Sequence, residues 1–63
     1  MNFLEQMRKQ KGFTIKELSE KSGISSVEIS HIENNKYKPR ITTLSKLARA
    51  LEIDLEELYQ NFN

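Results

Sequence analysis

A chain of 63 residues with no cysteine and a single histidine has room for one small domain that buries only about 60% of its unfolded surface, with no disulfide or zinc-ligand set to reinforce it. Its formal net charge is only +1 although 30% of its residues are charged, and no apolar run approaches the roughly 20 residues of a membrane span. Glu5, Arg8, Lys9 and Lys11 stand where a secretory signal would need its apolar stretch, so the chain is expected to be soluble and cytoplasmic. No nucleophile–base pair, phosphate loop or metal cluster points to an enzyme, and no cofactor or metal is expected.

Five helices are predicted. Asn2 caps the first, which turns Phe3, Leu4 and Met7 inward and stops at Gly12. Thr14-Ile15-Lys16-Glu17 opens the second, about Ile15 to Ser22, with a hydroxyl three residues ahead of a carboxylate, as in a capping box. Leu18 is its buried residue, and small Ser19 lets a neighbouring helix approach. Gly23 ends it, because glycine takes positive φ freely. Ser25-Ser26-Val27-Glu28 repeats the box and opens a third helix, about Ser26 to Asn34, with Ile29 and Ile32 inward. Residues 35–40 form a polar loop in which Pro39 drives Lys38 towards extended backbone. The fourth helix, about Ile41 to Leu51, has the strongest apolar period: Ile41, Leu44, Leu47, Ala48 and Leu51. Asp54-Leu55-Glu56-Glu57 is a third box, opening a fifth helix with Leu55, Leu58 and Tyr59, after which residues 61–63 are expected to fray. Nothing alternates with period two for long, and there is no linker or repeat. The fold class is all-α, one domain over residues 1–63.

The second and third helices meet across Gly23 with little chain between them. Two helices joined by a turn of about 3–4 residues, crossing at about 90–120°, form the DNA-reading helix-turn-helix. With Ile29 and Ile32 inward, the third helix turns Val27, Ser30, His31 and Asn34 outward, with Ser26 and Glu28 on the flanks. Serine hydroxyls bond any base edge and so discriminate weakly, Val27 suits a thymine methyl, and His31 suits guanine or a phosphate. An isolated exposed valine or histidine is ordinary surface, and Glu28 serves as a cap partner before it serves as a base reader. The face lacks the Arg or Gln contacts worth about 1–3 kcal/mol each, so readout leans on DNA shape.

Phosphate ligands are expected around that face. Thr14 lies at a helix start, where amides favour an anion, and Lys36, Tyr37, Lys38 and Arg40 lie in the loop. Such contacts give affinity and register rather than sequence information; a solvated basic loop is the plain alternative. Residues 1–49 hold all ten Lys and Arg against five Glu, whereas residues 50–63 hold four acids and no base. That asymmetry fits a basic binding face and equally a mixed, solvated surface.

The run Met7-Arg8-Lys9-Gln10-Lys11-Gly12-Phe13-Thr14, then Glu17 to Gly23, Ile29 to Lys36 and Pro39, resembles the Cro/repressor-type (Xre-like) helix-turn-helix family. The similarity continues through Leu44 to Leu51 and Asp54 to Leu58, so it covers about residues 3–59. It implies a compact five-helix domain that binds operator DNA, commonly as a dimer, and usually represses transcription. It places Ser25, Ser26, Val27, Ser30 and His31 at base-facing positions and Thr14, Asn34, Lys36 and Lys38 at backbone contacts. It also reads Arg8 and Glu33 as a structural pair tying the first helix to the third. Four departures stand out: Ile15 for a phosphate-bonding Gln, Ser19 for Ala, Asn35 for Gly, and Arg40 for a capping Ser or Asp. Asn35 keeps the turn because it tolerates left-handed backbone; Arg40 loses a cap and gains a phosphate ligand.

The expected function is therefore a sequence-specific regulator, a repressor that binds an inverted-repeat double-stranded operator as a homodimer. One short reading helix is too little to find one genomic site, and pairing on half-sites about 10–10.5 bp apart remedies that. Ile53, Tyr59 and Phe62, with Leu55, are the candidate dimer contacts, although for Leu55, as for Leu58, closing the core is the favoured reading. The rival expectation is a protein-interaction module of the same fold, an antitoxin or adaptor gripping a regulatory protein partner.

Overall fold

The computed structural model describes residues 2–62 and contains, among them, five helices and no strand: α1 (Phe3–Gln10), α2 (Ile15–Ser22), α3 (Ser26–Glu33), α4 (Ile41–Leu51) and α5 (Leu55–Gln60). Short polar residues start four of the five. The Asn2 side chain accepts from the Glu5 N–H at 3.1 Å, Thr14 from Glu17 at 3.0 Å and Ser25 from Glu28 at 3.1 Å. Each cap satisfies an amide that the first helical turn leaves without a partner, worth about 1 kcal/mol. Arg40 begins α4 without a side-chain cap.

Only one of the three predicted capping boxes closes. At α2 the Glu17 carboxylate returns a bond from the Thr14 N–H, 2.8 Å long. At α3 the Ser25 half forms alone. At α5 Asp54 bonds the Glu56 amide at 3.1 Å, one position short of the box.

Three helices end in the same pair of backbone bonds. Phe13 and Gly12 donate to the carbonyls of Arg8 and Lys9, Lys36 and Asn35 to those of His31 and Ile32, and Ile53 and Glu52 to those of Ala48 and Arg49. This is the Schellman closure, which needs a left-handed residue, here Gly12 at φ 82°, Asn35 at 59° and Glu52 at 57°. Asn35 thus holds the turn in left-handed backbone. Gly23, at φ 78°, ends α2 with a single bond to the Ser19 carbonyl. Only Gly23-Ile24-Ser25 separate α2 from α3, the short connection of a helix-turn-helix.

Leu4, Leu18, Ile24, Ile29, Ile32, Leu44, Leu47, Ala48, Leu51 and Leu58 form one core cluster. α4 packs on α2 and α5, while α3 packs on α1 and α2. Ile24, in the turn itself, pins the α2–α3 corner. Ile15, at the start of α2, is half-buried against the core.

Two apolar assignments change. Ile41, predicted to face inward, is 50% exposed; as the first residue of α4 it precedes the turn that packs. The predicted fraying does not occur at 61–62. The Asn61 side chain donates to the Glu57 carbonyl at 2.8 Å, and Phe62 donates to the Tyr59 carbonyl and rests its ring on the core. Asn63 lies outside the described residues.

Two polar links fix α3 against α1. Arg8 grips Glu33 with both arms, Nε to Oε2 at 2.7 Å and Nη2 to Oε1 at 3.1 Å, while Nη1 donates to the Phe13 carbonyl at 2.9 Å. Arg8 and Glu33 retain only 8% and 4% of their surface. The hydrogen bonds to Glu33 hold the Arg8 guanidinium above its already high ordinary value. The second link is Asn2, whose amide nitrogen donates to the Ile32 carbonyl at 2.7 Å and to Asn35 Oδ1 at 3.1 Å.

Candidate nucleic-acid interface

Braced from behind by α1 and α2, α3 turns its N-terminal end outward. Ser25 and Ser26 are exposed, Val27 is 65% exposed, and Ser30 and His31 are half-buried. An apolar side chain this bare, at the start of a helix whose other apolar residues are in the core, supplies surface for an apolar contact such as a thymine methyl. Ser25 already uses its oxygen as the cap, and its hydroxyl proton stays free to donate.

The loop after α3 is fastened to that helix. The Tyr37 ring stands edge-on to His31, centroids 6.3 Å apart and planes at 80°. Partial desolvation first, then the charge of Glu28 and a hydrogen bond to it, raise the Tyr37 phenol above its usual value of 10.0. Tyr37 was expected at a phosphate; in the free protein its hydroxyl faces Glu28. Asn34 folds back to donate to the Ser30 carbonyl at 2.8 Å. Lys36, Lys38 and Arg40 are exposed, and the Lys38 ammonium lies 5.8 Å from the centre of the Tyr59 ring.

Glu28, Tyr37, Lys38 and Arg40 come together in one cleft with Thr42, Thr43 and Lys46 from the first turns of α4. Thr14 does not line it. At the start of α2, Glu17 already occupies the amide that an anion would take, and the Thr14 backbone and side-chain bonds, in that order, hold Glu17 below its ordinary 4.5. Thr14 thus has both its amide and its hydroxyl committed to Glu17 in the free protein.

The candidate dimer residues divide. Ile53, Leu55 and Phe62 pack partly on the core, whereas Tyr59 is exposed on α5. Sequence reading missed two features of the face. Glu28 shares a cleft with Tyr37, a tertiary neighbourhood with no local signal, and Lys46 joins it, for which its spacing of four from Thr42 along a helix was the available signal.

A helix-turn-helix family model matches residues 4–58. The transcriptional regulator SutR of Escherichia coli is 36% identical over 50 residues, which cover 79% of this chain and 28% of SutR. Antitoxin HipB of Escherichia coli is 37% identical over 54 residues, 86% of this chain and 61% of HipB. SinR of Bacillus subtilis is 36% identical over 56 residues, 87% of this chain and 50% of SinR. The chain thus spans less than two thirds of each of these relatives. A crystal structure of SinR, the master regulator for biofilm formation, in complex with DNA aligns over 87% of this chain and 89% of that one, at 36% identity and a TM-score of 0.83.

Proposed function

The chain belongs to the helix-turn-helix family, and on that premise we propose that it binds double-stranded DNA in a sequence-dependent way and regulates transcription, as a repressor. Ser25, Ser26, Val27, Ser30 and His31 meet base edges in the major groove. Lys36, Lys38 and Arg40, with the Tyr37 hydroxyl and the Asn34 amide, hold phosphates on either side. The observation that carries this reading is the close match, over 87% of the chain, to a SinR structure solved with DNA bound. Among the described residues, Arg40 forms no ion pair, as suits a phosphate ligand.

Two copies bind an inverted repeat, with Tyr59 leading the contact between them and Ile53 and Phe62 supporting it from their half-buried positions. Similarity to an antitoxin favours a second reading, in which a protein partner is also bound and the acidic segment from Glu52 to Glu57 is its docking site.

Selection of bound duplexes from a randomised pool at near-physiological salt tests the main reading. Enrichment of an inverted repeat with half-site centres about 10–10.5 bp apart is the expected result. A pool that stays random around a folded protein would favour the protein-partner reading.

A further inference from the structure

The cleft beside the reading helix does not end at Lys46. A second open cleft, between the end of α2 and the outer face of α4, is lined by Lys21, Ser45, Lys46, Arg49 and Glu52, and it shares Thr42 and Lys46 with the first. The two are therefore continuous. Thr42, Lys46 and Arg49 follow one another at intervals of four and three along α4, so they stand one above the next on a single face. Arg40 lines the first cleft, Arg49 the second and Lys46 both, and among the described residues none of the three has a carboxylate partner. Lys21 faces them from α2, but its ammonium is drawn over the Phe13 ring, 5.3 Å from the centroid. It adds to the field more than it reaches for a ligand. The only acid lining this second cleft is Glu52, against three cations.

We infer that Lys46 and Arg49 form a second phosphate-binding row, which carries the backbone of the duplex adjoining the half-site up the face of α4. The inference rests on the DNA-binding reading and extends it to a surface outside the helix-turn-helix. A polyanion is the occupant because the row is cationic and continuous with the loop that bears Lys38 and Arg40. A duplex suits it better than a compact anion because the row is extended and open. These contacts add affinity and salt dependence without sequence information.

The test is a salt titration of binding to a selected duplex, measured by fluorescence anisotropy for the wild-type chain, Lys46→Ala, Arg49→Ala and a control, Lys11→Ala, whose side chain lines neither cleft. Two duplexes are compared, one trimmed to the half-site and one extended by a full turn on each side. On the extended duplex Lys46→Ala and Arg49→Ala should each flatten the log–log salt slope by about 0.9 and weaken binding by roughly 3- to 10-fold at low salt. The control should do neither, and on the trimmed duplex the loss for Arg49→Ala should disappear. Equal slopes for wild type and both variants on the extended duplex would overturn the inference while leaving the DNA reading intact. So would unchanged DNA binding together with retention of an acidic polyglutamate peptide that both variants lose, which would assign the row to an acidic protein partner. If the wild-type chain itself bound neither duplex, the DNA reading would fail and take this inference with it.

Discussion

Glu33 brings a carboxylate to 4% exposure and is met there by the guanidinium of Arg8. Removing one member of a buried pair strands the other, at a cost of about 3–5 kcal/mol. The whole stability of a domain this size is about 3–9 kcal/mol at the usual value per residue. Glu33→Ala should therefore leave the chain close to its unfolding midpoint in water, measured by urea denaturation, whereas Arg8→Met with Glu33→Leu should recover most of the loss. Equal destabilisation by the single and double replacements would show that the pair is not the cause. On the outer side of the same helix the roles separate differently. Val27→Ala should change which duplexes are selected more than how tightly they bind, because Val27 is exposed. Lys36→Ala should weaken all duplexes alike and flatten the salt slope by about 1. The reverse pattern would invert the division between reading and holding.

The helices owe their ends to chemistry that is local, and those ends were legible in the sequence. Asn2, Thr14, Ser25 and Asp54 each cap the helix that their position along the chain implied, and Gly12, Gly23 and Asn35 each supply left-handed backbone. What the pattern hid was tertiary. Glu28 makes no return bond at α3, Ile41 fits the apolar period yet stays half exposed, and Phe62 rests on the core. Glu52 is the least suitable of the left-handed residues, since a side chain there costs roughly 1 kcal/mol. Glu52→Gly should raise the urea midpoint by an amount worth about 0.5–1 kcal/mol, less whatever entropy glycine loses; a lowered midpoint would mean that Glu52 makes a compensating contact. The capping box at α2 predicts a pH dependence. Glu17 is held below its ordinary 4.5 in the folded state, so its contribution is present above that value and lost as pH falls through the folded one. The stability gap between wild type and Glu17→Gln should be constant near neutrality and close on acidification. A gap that ignores pH would trace to shape rather than charge.

Taken whole, the molecule is a core of ten buried apolar residues that holds one short helix against two others and leaves its far side bare. The candidate interface was legible as a set of residues because helical period and the turn at Gly23 fix which side of α3 faces out. Its extension along α4 was not, since only the packing of α4 on α2 makes Lys46 and Arg49 continuous with the loop. The claim on which the rest depends is that this bare side, and not the acidic end at α5, meets DNA. Amide chemical-shift mapping of the isotope-labelled chain, titrated with a selected duplex, tests it most directly. Shifts concentrated on residues 25–31 and the loop from Lys36 to Arg40, with α5 disturbed only around Tyr59, are the predicted result. Shifts confined to α1 and α5, with residues 25–31 unmoved at saturation, would contradict the account.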